Sequence, residues 1–67
     1  MSAARVTEVC ASSPRGFDDA IRMAIERAGQ TLDNLTGAWI EDRYVIVRDG
    51  AISEYRVRLK VTFLLHD

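Results

Sequence analysis

Trp39 is the only tryptophan of the chain, and it stands in LTGAWIEDRYVIVRDG, residues 35–50, whose other positions alternate as a β-strand does. An indole is large, polarizable and amphipathic, so it either stacks on a planar ring or packs against a neighbouring apolar surface. Arg56, Arg58 and Lys60 recur at a spacing of two, which puts three cations on one face of a strand. They suit a phosphate-bearing ligand such as a nucleotide, or carboxylates such as Glu41 and Glu54 across a subunit boundary. Glu41, Asp42 and Asp49 offer oxygens to a hard cation, but without EF-hand spacing, so a calcium site would have to assemble between subunits. Cys10, between Val9 and Ala11, reads as a buried structural thiol. Its one conceivable imidazole partner, His66, is expected at the solvent-exposed C-terminus, so a nucleophilic pair is not formed. Asp18 and Asp19 are explained by the first turn of a helix, where negative charge complements the dipole. No catalytic constellation and no metal-ligand cluster emerges, and the chain reads as a non-enzyme.

The elements that position these residues follow from periodicity. Residues 5–11, RVTEVCA, are rich in β-branched side chains and read as a strand. SSPRG breaks it. From Phe17 the positions Phe17, Ala20, Ile21, Ala24, Ile25, Ala28 and Leu32 recur at spacings of three and four, one helical stripe that ends near Asn34. A second strand starts beyond Gly37, and Asp49-Gly50 signals a tight hairpin because both central positions of such a turn want positive φ. From Ile52 to Leu65, Tyr55, Val57, Leu59, Val61, Phe63 and Leu65 alternate with Arg56, Arg58, Lys60 and Thr62. The order βαββ predicts an α+β fold with a long antiparallel hairpin after the helix, in one domain over residues 1–67.

In the second strand Ala38, Ile40, Tyr44 and Ile46 are expected on the core face, with Gly37, Trp39, Glu41 and Arg43 on the opposite one. Asp42 interrupts the core set, so a β-bulge or bend near it is expected. Trp39 then shares the open face with Arg56, Arg58 and Lys60. A large aromatic there calls for a cover, either another subunit or a planar ligand.

The chain has 67 residues, and a domain of that size buries only about 60% of the surface its unfolded chain exposes. Small domains gain stability from disulfides, metals or association. One cysteine and one histidine leave association as the device. A net charge of −1 argues against a nucleic-acid-binding domain, and no apolar run is long enough for a signal peptide or a membrane span. The lone thiol predicts a reducing, cytoplasmic setting.

SSPRGFDDAIRMAIERAGQTLDNL followed by IVRDGAISEYRVRLKVTFLLHD resembles the dodecins. The features that carry the resemblance are Ser12-Ser13-Pro14, Asp19-Ala20-Ile21, Thr31-Leu32, Asn34-Leu35, Asp49-Gly50, Tyr55 and Leu59 to Leu65, over nearly the whole chain. The resemblance implies a three-stranded antiparallel sheet partly wrapped around one helix and a hollow homododecamer. It also implies flavin storage or binding, with isoalloxazine rings stacked between tryptophans of neighbouring subunits. On an ungapped match Gly37 occupies the place of the family's tryptophan, and Trp39 lies on the same face roughly 6 to 7 Å further along. Arg56 occupies the place of the family's flavin-contacting glutamine. An arginine donates hydrogen bonds but accepts none.

The candidate ligand residues are therefore Gly37, Trp39 and Arg56, and the candidate ligand is a flavin, FMN or riboflavin. The alternative is a dodecin-like shell without flavin, similar to the branch that lacks the stacking tryptophan, with a structural or calcium-binding role.

Overall fold

The computed structural model describes residues 3–65. His66, expected at the surface, lies outside these residues. The elements are β1 (Ala3–Ser13), α1 (Phe17–Thr31), β2 (Leu35–Arg48) and β3 (Ala51–Leu65). They form a βαββ arrangement whose antiparallel sheet has the order β1-β3-β2. β3, with the cleanest apolar alternation, is the central strand. Both β1 and β2 are edges.

The helix lies over β1 and β3. Ala20, Ala24 and Ala28, spaced by four, are buried against Val57, Leu59 and Val61. Small side chains on the contact stripe bring the helix backbone close to the sheet, while Phe17, Ile21, Ile25, Leu32 and Leu35 close the flanks. The core is thin, as the chain length requires. The tip of the hairpin is a two-residue turn in which Asp49 (φ 53°) and Gly50 (φ 77°) both have positive φ, and Arg48 pairs with Ala51 across it. That is the type I′ geometry whose twist matches the flanking strands.

The N-terminus of α1 carries no side-chain cap at Gly16. Ser13, buried at the end of β1, does related work: its hydroxyl accepts from the Arg15 amide (3.0 Å) and donates to the Asp19 carboxylate (2.6 Å). The helix ends at Thr31, three residues before Asn34, and Asn34 itself turns the chain with φ 62°. Weak helix formers and the extended Leu32 end it early.

β2 is irregular, with register shifts between Leu35 and Gly37, Ile40 and Asp42, and Ile46 and Val47. The shift at Glu41 matters most. Before it Ala38 and Ile40 pair with Val61 and Leu59 and point to the helix side; after it Asp42, Tyr44 and Ile46 pair with Arg58, Arg56 and Glu54 and point away. One extra residue resets the period of two, so Tyr44 and Ile46 leave the face expected for them and Arg43 moves to the helix side. There the Arg43 guanidinium lies 5.6 Å from the Phe17 ring centroid, and Phe17 packs edge-on against Tyr55 at 5.2 Å.

Candidate functional site

The face turned away from the helix is built from three rows across the sheet. Their members are Glu8–Lys60–Trp39, Cys10–Arg58–Asp42 and Ser12–Arg56–Tyr44. Directly opposed residues on one face of an antiparallel pair bring their side chains together, so each row is a line of neighbours. Gly37 extends the stripe past Trp39, opposite Thr62, whose hydroxyl donates to the Gly37 carbonyl at 3.2 Å.

Trp39 is 62% exposed and stands beside Lys60. Arg56 lies four residues further along β3, about 13 Å away at strand rise, so the two share a stripe without touching. Gly37, Trp39 and Arg56 thus lie on one surface, with Gly37 and Trp39 toward one end and Arg56 at the other.

The cations of this face have carboxylates of their own chain nearby. Glu41, at the bulge, stands 3.5 Å from Lys60 and 3.9 Å from Arg58, and Glu54 stands 3.8 Å from Arg56 and 3.9 Å from Arg48. Pairing of Arg56, Arg58 and Lys60 with Glu41 and Glu54 was expected across a subunit boundary and is found within the chain, because the bulge presents Glu41 toward β3. Most of these separations exceed hydrogen-bond length, so they leave the cations only partly satisfied. A hydrogen bond with Tyr44 is the largest influence that raises the Arg56 pKa above its ordinary value, with Glu54 adding to it.

Tyr44 and Arg56, with Cys10, Ser12 and Arg58, line an open cavity of about 510 Å³. Cys10 is exposed here, contrary to the buried thiol expected from its apolar neighbours. The register explains it: Val9 and Ala11 point to the helix, and Cys10 alternates to the open face beside Arg58. Tyr44 escaped the sequence reading because the bulge displaced it. The signal for it was the Glu41-Asp42 pair breaking the alternation.

Among the described residues no group of three or more His, Cys, Asp or Glu could hold a metal ion, so Glu41, Asp42 and Asp49 form no calcium site within the chain. Asp49 is held in the hairpin turn, away from Glu41. Asp19 is engaged by Ser13 and, at 2.6 Å, by Arg22. No described helix is long and apolar enough to cross a membrane.

A protein-family model, Dodecin, matches residues 3–66. Among solved structures, the dodecin from Streptomyces davaonensis is 39% identical, with a TM-score of 0.94 over 98% of this chain and 97% of that one. The dodecin from Streptomyces coelicolor is 38% identical, with a TM-score of 0.93 over 98% and 94% of the two chains. A tryptophan-to-phenylalanine mutant of Thermus thermophilus dodecin is 27% identical, with a TM-score of 0.93 over all of both chains. No curated protein sequence matches.

Proposed function

The chain belongs to the dodecin family, and from that membership we propose that it is a non-enzymatic, cytoplasmic protein, one domain over residues 1–67. Twelve copies assemble as a shell that binds a flavin, FMN or riboflavin, on the open sheet face. The single observation that carries this reading is Trp39, 62% exposed beside Lys60 on a face that the helix leaves uncovered. An aromatic of that size in water exposes apolar area that a stacked ring or a neighbouring subunit would remove. Trp39 is the stacking residue, Gly37 leaves open the space beside it, and Arg56 contacts the ligand's polar edge. The experiment is a titration of riboflavin and FMN with the assembled protein, followed by flavin fluorescence. Saturable, strong quenching supports the reading, and unchanged fluorescence at high protein concentration overturns it.

A second reading, a shell without flavin and with a structural or ion-binding role, is favoured by Arg56. It is engaged with Tyr44 and Glu54, and it lacks the acceptor that a glutamine amide offers a flavin ring. A calcium site on this reading would lie between subunits. Calcium-dependent stabilisation of a protein that fails to quench flavin would select it.

A further inference from the structure

Past the bulge, the apolar pattern of β2 does not say which side of the sheet each residue should take. Tyr44, Val45, Ile46 and Val47 form an unbroken apolar run on an edge strand, and none of them is buried. A strand without one clearly buried face specifies its register weakly. Arg43 supplies the missing information. It pairs with Val57 on the helix side, its guanidinium lies 5.6 Å from the Phe17 ring centroid, and Phe17 in turn meets Tyr55 edge-on at 5.2 Å. Among the described residues no carboxylate pairs with Arg43, so the ring is its partner. The straight register, which continues the pairing of Ile40 with Leu59 without an extra residue, would set Asp42 against Val57 and Arg43 against Arg56. Both exchanges are unfavourable. The face of an aromatic ring is negative and repels a carboxylate, and like charges directly opposite each other destabilise a strand pair.

We propose that Arg43 is a positioning residue for the open face: held to Phe17 on the helix side, it locks the bulge at Glu41, and the period of two then delivers Tyr44 to Arg56 on the other side. It acts on a surface that it does not touch. Phe17 opens α1, so the lock ties the start of the helix to a strand over which the helix does not lie. Glu41, inside the bulge, stands 3.5 Å from Lys60, and Lys60 is the residue directly opposite Trp39. The same lock therefore sets the charges beside the indole. Its consequence for a ligand rests on the flavin reading, whereas the lock on the register stands by itself.

The test counts visits to the straight register in the assembled protein. Val45 and Glu54 point to opposite faces in the structure, whereas the straight register sets them directly against each other. With Val45→Cys, Glu54→Cys and Cys10→Ala combined, the rate at which oxidised glutathione closes a disulfide within one chain reports how often that register is visited. Adding Arg43→Met, which keeps the stem and removes the charge, should raise this rate about three- to tenfold, the worth of one cation–π contact. Arg43→Lys should hold it near the starting value. Phe17→Leu should raise it as Arg43→Met does, and it provides the measurement if Arg43→Met fails to assemble by light scattering. A rate unchanged in both Arg43→Met and Phe17→Leu overturns the lock. Riboflavin at about ten times its Kd should slow closure about tenfold, because a ligand of the open face selects the register that builds it. If riboflavin is quenched yet leaves closure unchanged, Arg43 is no positioning residue for the site while the flavin reading stands. If riboflavin does not bind, the flavin reading fails, and the closure rates alone decide the lock.

Discussion

Tyr44 and Arg56 stand directly opposite each other in the β2–β3 ladder, both on the side away from the helix. Their meeting depends on the bulge at Glu41, without which Tyr44 would point toward the helix. The influence of Tyr44, with that of Glu54, raises the Arg56 pKa above its ordinary value, so this guanidinium keeps its charge at every pH at which the protein is handled.

Any pH dependence of FMN binding between pH 5 and 8 should therefore come from the ligand. A phosphate monoester loses its second proton at about pH 6, so FMN affinity should fall as the pH drops below that value while riboflavin affinity stays level. Fluorescence titrations at stepped pH check it. Parallel curves for the two flavins would mean that the phosphate does not meet the arginines.

Trp39→Ala should abolish flavin quenching, because the indole is the only tryptophan and supplies the stacking surface. Light scattering should still report the full assembly. Loss of assembly would instead assign Trp39 to a contact between subunits, and Trp39→Phe, which keeps an aromatic face at a smaller size, should then assemble better than Trp39→Ala.

Much of this architecture is legible in the sequence. The alternation from Ile52 to Leu65 marks β3, the three-and-four spacing from Phe17 marks α1, and Asp49-Gly50 marks the turn, because each signal is local and periodic. Trp39 could be assigned to the open face for the same reason. Tyr44 was not: the bulge expected near Asp42 is present, but the sequence reading kept Tyr44 and Ile46 on the side they had before it, whereas the extra residue moves them to the other face. Cys10 was misjudged from the apolar character of its neighbours, although their alternation places it opposite them.

The contact between Ser13 and Asp19 links the end of β1 to the first turn of α1. Its hydrogen bond to Ser13, and then that to Arg22, hold the Asp19 carboxyl below its ordinary 3.8. A lowered folded-state pKa contributes stability that is present above the unfolded value and is lost as the pH falls through the folded one. The melting temperature of Asp19→Asn should lie below that of the unaltered protein at pH 6, and the gap should close as the pH falls from about 4 toward 2. A gap that persists in acid would assign the effect to packing.

Gly29 sits inside α1 on the exposed side, with φ in the ordinary range. A Cβ built there would meet only the Leu35 side chain, at 3.8 Å, an ordinary contact. Gly29→Ala should therefore stabilise the fold by about 0.5–1 kcal/mol, since alanine has less freedom to lose and the better helix propensity. Thermal melting checks it, and a lower melting temperature would mean that a neighbouring subunit approaches the helix at that point.

Gly37 tests whether the stacking position can be refilled. Its φ is not in the positive range, and a Cβ there would lie 3.5 Å from the Thr62 hydroxyl, an ordinary contact, so a large side chain can start from this backbone without strain. Arg56→Gln replaces a donor-only group by an amide that both donates and accepts, and it frees Tyr44. The double variant Gly37→Trp with Arg56→Gln should raise riboflavin affinity by about tenfold or more, on the scale of one aromatic stack and one well-made hydrogen bond. No gain would mean that the ring cannot approach Gly37, and that Trp39 has reshaped the face around itself.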